Sequence, residues 1–121
     1  MRNVLCQAAR ADRNPAIRLK ALEALDGAGG DPDVLQAMLA ALAADDNSGV
    51  RVQAVNSLLV ALADANLLAP SLDTEAMNIL RDRMQNDPNH YVRQQSATVL
   101  ERLASLGADV TNDQSLSAPR P

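Results

Sequence analysis

Tryptophan and phenylalanine are absent from this 121-residue sequence, and Tyr91 is its only aromatic residue. A core without large rings has to be filled by Leu, Ala, Val, Ile and Met, within a hydrophobic content of 47%. Small aliphatics favour closely approaching helices. Strong helix formers abound while strand-type residues are scarce. The single cysteine, Cys6, excludes an intrachain disulfide. With His90 as the only histidine, zinc lacks the set of Cys and His ligands it needs. Basic charge is in deficit: 11 Lys and Arg face 15 Asp and Glu, giving a net charge of −4. That balance argues against general nucleic-acid binding, which needs cations to neutralise phosphates. It is compatible with a soluble protein or with a basic protein partner. No apolar run approaches the roughly 18–20 residues of a membrane span, and "MRNVLCQAARADR" lacks the apolar stretch of a signal peptide. The chain reads as cytoplasmic if it is whole, and as extracytoplasmic if it is a piece of a membrane-anchored protein.

What is present is a repeat. "DRNPAIRLKALEAL" from Asp12, "DDNSGVRVQAVNSL" from Asp45 and "DPNHYVRQQSATVL" from Asp87 align without gaps. The shared pattern is D-x-N-x-x-[IV]-R-x-x-[AS]-x-x-x-L. Its columns hold Asn14, Asn47 and Asn89; Ile17, Val50 and Val92; Arg18, Arg51 and Arg93; Ala21, Ala54 and Ser96; Leu25, Leu58 and Leu100. The motifs start 33 and 42 residues apart (45 − 12 and 87 − 45), in the range of helical-hairpin solenoids. A second apolar pattern precedes each motif: Leu5, Met38 and Leu80 lie seven residues before the Asp, and Ala9, Leu42 and Met84 lie three before it. The units therefore read as helix, tight turn, helix, with helices near 1–10, 15–26, 32–44, 48–65, 74–85 and 90–106. The expected fold is all-α: about three stacked hairpins (1–27, 31–65 and 73–106) forming a right-handed α-solenoid over 1–106. "DGAGGD" and "NLLAPSLD" link the units, Gly107 is expected to end the last helix, and 107–121 reads as a disordered tail.

The motif residues have separate physical roles. Asn14, Asn47 and Asn89 fall where a helix N-cap is needed, and Pro15 suits the first helical position. Ile17, Val50 and Val92 are expected to open the buried stripe of each second helix, continued four and eight residues on. Met38, Met77 and Met84 lie on buried stripes, and Cys6 reads as a small buried hydrophobe. The arginine needs another account, because the helix dipole disfavours a cation in the first turn. A ladder of Asp–Arg hydrogen bonds is expected to offset this, pairing Asp12, Asp45 and Asp87 with Arg18, Arg51 and Arg93 within a unit or between neighbours.

With the copies aligned, the chain resembles HEAT or HEAT-like repeats over roughly 1–106, where an Asp at the turn and a Val-Arg opening the second helix are hallmarks. "NPAIRLKALEAL", "NSGVRVQAVNSLLVAL" and "DPNHYVRQQSATVLERL" are similar to the C-terminal HEAT module of bacterial membrane-anchored anti-sigma-factor-like proteins. In that family a small zinc-binding head and a transmembrane helix precede the repeats. Neither is present here, so sigma-factor binding is not carried over. HEAT-like bilin lyase subunits and DNA glycosylases are related types. Nothing here matches a bilin site, and the glycosylases would need a basic concave face with aromatics.

Asp87, His90, Tyr91 and Arg93 together resemble a catalytic cluster. Asp87 and Arg93, however, are repeated scaffold residues. His90 and Tyr91 fill columns held elsewhere by Pro15 and Ala16, Ser48 and Gly49. No catalytic residue, metal or cofactor is expected. "GAGGD" lacks the strand and the Lys of a phosphate loop. The better candidates are exposed positions of the second helices: Lys20, Glu23, Gln53, Asn56, Gln95 and Thr98, which stacking would line into one polar, concave stripe. A non-enzymatic protein–protein scaffold is the expected function, as the interaction part of a regulatory protein. The alternatives are a bilin-lyase-type chaperone subunit and a purely structural spacer. The partner is expected to be a protein, with an upstream segment or a second copy covering Val4 and Leu5.

Overall fold

The structure, a computed structural model, describes residues 2–28, 31–63 and 73–117. Among these it has six helices and no strand: α1 (Arg2–Ala11), α2 (Pro15–Ala24), α3 (Pro32–Ala44), α4 (Ser48–Leu62), α5 (Thr74–Asn86) and α6 (His90–Ser117). Each hairpin packs its two helices together. Along the array α1 packs on α3 and α3 on α5, while α2 packs on α4 and α4 on α6. The result is two layers of parallel-stacked helices, an α-solenoid of three units.

The helix starts follow from the sequence. Asn14 Oδ1 accepts from the Ala16 N–H at 2.9 Å, Asn47 Oδ1 from Val50 at 3.2 Å and Asn89 Oδ1 from Val92 at 3.1 Å. Asp31 and Asp73 cap α3 and α5 in the same way. Each such cap stabilises its helix by about 1 kcal/mol. After α2 the chain turns through Gly27 at φ 88, a left-handed conformation that glycine adopts without strain.

The core joins all three units. Leu22, Leu25, Leu35, Met38, Leu42, Leu58 and Leu80 are its largest fully buried side chains. Cys6 is buried as expected. One column departs from its expectation. Val50 and Val92 are fully buried, but Ile17 is 46% exposed. This column faces the preceding unit, and among the described residues no unit precedes α1. Ala24 is exposed for the same reason, whereas Ser57 and Val99 in its column are buried. At the other end Met77, Met84 and Leu100 are only half-buried, although Leu42 and Leu58 in the columns of Met84 and Leu100 are closed over by the following unit.

The C-terminal end also differs. Gly107 does not stop the last helix, which runs to Ser117 across most of the expected tail. A glycine inside a helix costs about 1 kcal/mol relative to alanine, which weakens a helix without forcing it to end. In the second unit α4 ends at Leu62 rather than near residue 65. Most of the "NLLAPSLD" link lies outside the described residues, as do 29–30 of the glycine-rich link.

Candidate functional site

Two sets of repeated side chains come together along the second helices: the charged ladder at the turns and a polar stripe farther along.

At each turn the motif Asp folds its own loop. Asp12, Asp45 and Asp87 each accept the backbone N–H two residues on, at 2.9, 2.9 and 2.8 Å. This orients the Asn that caps the next helix. The outer edge of the carboxylate is then free for a cation, and the cation comes from the preceding unit. Arg18 reaches Asp45 with Nε at 2.7 Å and Nη2 at 2.9 Å. Arg51 reaches Asp87 in the same two-pronged way, at 2.8 and 3.1 Å. The third guanidinium edge stays at home: Arg18 Nη1 donates to the Asp12 carbonyl at 2.8 Å, and Arg51 Nη1 to the Asp45 carbonyl at 2.9 Å. Each arginine thus closes its own turn through a backbone oxygen and clamps the next unit through a carboxylate. The side-chain ladder runs between units, not within them. Its flat fork geometry matches a carboxylate, which a lysine would not.

Burial strengthens the pairs. Arg51 is 7% exposed and Asp87 1%. Burial alone pushes the Asp87 carboxyl up. Hydrogen bonds from Arg51 and the Asn89 N–H, with the charges of Arg51 and Arg83, overcome this and hold it below the usual carboxylate range. Arg18 is held above its ordinary value chiefly by its hydrogen bond to Asp45. Arg83 was not among the expected ladder residues. It sits one turn before Asp87 and donates to it at 3.2 Å, while its Nη2 holds Asp82 at 2.6 Å. Its column holds Ala8 and Ala41 in the other units, so the repeat pattern carried no sign of it; the four-residue spacing to Asp87 did.

The polar stripe is assembled by α2, α4 and α6, which lie side by side in one layer. Lys20 and Glu23 are exposed, and Gln53, Asn56, Gln95 and Thr98 are half-buried. Several are engaged within the chain. Gln53 donates to Ser57 Oγ at 3.1 Å, and Ser57 donates across units to Asp26 at 2.6 Å. Tyr91 donates to Asn56 Oδ1 at 2.9 Å, also across units, and receives Gln95 Nε2 at 3.2 Å. Thr98 bonds back to the Gln94 carbonyl at 3.1 Å. Tyr91, whose column holds Ala16 and Gly49 in the other units, is 41% exposed yet serves as a cross-unit link. Its neighbour His90 is exposed, and its Nδ1 lies 3.4 Å from Arg93 Nη2. Two hydrogen-bonded chains thus cross between units here, Gln53–Ser57–Asp26 and Gln95–Tyr91–Asn56.

Comparison with known proteins agrees with this architecture. The family described as HEAT repeats matches residues 2–101. The chain belongs to the HEAT-repeat family. No curated protein and no solved structure matches it. Repeats of the HEAT type commonly mediate protein–protein interaction. No helix among the described residues is long and apolar enough to cross a membrane. A groove of about 500 Å³ lies in the other layer of this HEAT array, lined by Asn3, Cys6, Gln7, Arg10, Ala11, Asp33 and Gln36. It contains none of the stripe residues.

Proposed function

We propose that this HEAT array is a non-enzymatic protein-binding module that holds a peptide or helix of its partner along the α2–α4–α6 stripe. One observation supports the reading: Lys20, Gln53 and Gln95, and Glu23, Asn56 and Thr98, occupy repeat-equivalent positions on three helices packed in one layer. Lys20 and Glu23 offer one charge of each sign at one end. Asn56 and Gln95 present amide groups that both donate and accept, suited to backbone amides of a bound segment. The internal bonds through Tyr91 and Ser57 hold these side chains in place before binding, which lowers the ordering cost of association.

The test is a cross-linking pull-down from the native host, repeated with Lys20→Glu combined with Gln95→Glu. Loss of a specific partner with the thermal melt unchanged supports the stripe as the binding face. A partner set identical to the wild type removes it. The finer reading is a regulatory one: this module as the interaction part of a bacterial anti-sigma-like protein. Its support is the similarity of the three motif stretches to such modules. A partner that is not a signalling component would refute it.

A structural spacer is the second reading, and the cross-unit bonds favour it. Gln53, Asn56 and Gln95 spend part of their hydrogen-bonding capacity on stitching neighbouring repeats. On this reading Tyr91→Phe weakens folding but changes no interaction.

A further inference from the structure

Among the described residues the ladder has two open ends, and they complement each other. Arg93 is held as Arg18 and Arg51 are: its Nη1 donates to the carbonyl of its own turn, Asp87, at 2.6 Å. Its Nε and Nη2 edge, which in the other two units clamps the next Asp, meets no carboxylate among the described residues. Among those residues this edge has the His90 contact at 3.4 Å and no other. At the opposite end Asp12 orders its turn as Asp45 and Asp87 do, accepting Asn14 N–H at 2.9 Å, but receives no arginine side chain among the described residues. The apolar surface around each end is open in the same sense. Val4 is 66% and Ile17 46% exposed at the first unit, where the equivalent Ala37, Val50 and Val92 are buried and Ile79 is half-buried. Met84 and Leu100 are half-buried at the last unit.

We propose that copies of this chain stack head to tail, with the Arg93 fork of one copy clamping the Asp12 carboxylate of the next. The contact repeats the step already present twice within the chain: fork on carboxylate, with the Ile17 column closed by the unit before it. Each end carries half of that step in the conformation the step requires. A contact between different surfaces of identical copies is heterologous. It adds copies successively and closes only if the rotation per copy permits a ring. The surface used is distinct from the α2–α4–α6 stripe, so the proposal stands whether or not that stripe binds a partner.

The experiment is sedimentation velocity with light scattering on the full 121-residue chain, across a wide concentration range. The expected result is a mass that rises with concentration past that of a dimer. Asp12→Asn keeps an acceptor for the Asn14 N–H, so the monomer's thermal melt stays unchanged, while assembly shifts to roughly tenfold or higher concentration as a charge-assisted clamp is lost. A complementary pair gives the orientation. Chains carrying Arg93→Glu and chains carrying Asp12→Arg each remain monomeric alone, and assembly returns on mixing. Three results overturn the proposal: a wild-type chain monomeric at every concentration, which leaves the ends to repeats of a longer chain; a closed dimer insensitive to Asp12→Asn; or no assembly in the mixture of the two variants at a temperature where circular dichroism shows both folded.

Discussion

Replacing Arg51 with methionine removes the second of the ladder's two clamps and nothing else of comparable weight. Methionine keeps the apolar stem of the side chain. What is lost is the two-pronged bond to Asp87 at 2.8 and 3.1 Å and the bond to the Asp45 carbonyl at 2.9 Å. The Asp87 side chain, fully buried, is left as a carboxylate with one arginine fewer. Breaking one side of a buried pair typically costs 3–5 kcal/mol. Asp87 still keeps the Asn89 N–H at 2.8 Å and Arg83 at 3.2 Å, so the lower end applies, about 3 kcal/mol. For a domain of this size that lowers the melting temperature by about 10–20 °C. Arg93→Met provides the internal control. Its only carbonyl bond is to Asp87 and it leaves no carboxylate stranded, so its cost is about 1 kcal/mol. Urea unfolding followed by circular dichroism ranks the two. Equal costs for Arg51→Met and Arg93→Met, or an unchanged melt for Arg51→Met, would refute the argument from buried pairing.

Acid should attack the same clamp. The Asp87 carboxyl lies below its usual range in the fold, so its contribution is complete above the unfolded carboxylate value of about 4 and is lost as pH falls through the lower folded value. Stability measured by urea titration should stay level from neutral pH to about 5 and fall below about 4, and Asp87→Asn should shrink that fall. Ser96 is fully buried and its hydroxyl has no hydrogen-bond partner among the described residues; Ser96→Ala, which restores the residue of Ala21 and Ala54, should raise stability by about 1 kcal/mol in the same assay. Tyr91→Phe should cost about 1 kcal/mol, and combining it with Asn56→Ala should cost less than the sum of the two, because both remove one cross-unit bond.

Much of this fold was legible because the constraint is written three times. The Asp, Asn and Arg columns each answer a local need: turn, cap and clamp. Three copies distinguish such needs from coincidence. The helix starts at Pro15, Pro32, Ser48, Thr74 and His90 agree with their caps. Where repetition misled, the cause is that a repeat pattern treats all units as interior ones. Ile17 matches Val50 and Val92 in sequence, but among the described residues no unit precedes it to bury it. Arg93 matches Arg51 but meets no Asp to clamp among those residues. Arg83 was missed for the converse reason, since it belongs to one unit only. The direction of the ladder, between units rather than within them, depends on where the next turn lies in space, which column spacing does not encode. The stripe positions were named from helical periodicity alone. That Tyr91 and Ser57 tie them across units depends on side-chain reach between α4 and its neighbours.

The central claim is that Arg18 and Arg51 each hold the carboxylate of the following unit and only the backbone of their own turn. Paired double-mutant cycles test it directly. Arg51→Met with Asp87→Asn should show a coupling of at least about 1 kcal/mol, whereas Arg51→Met with Asp45→Asn should be additive within about 0.5 kcal/mol. Strong coupling of Arg51 to Asp45, with none to Asp87, would contradict the account.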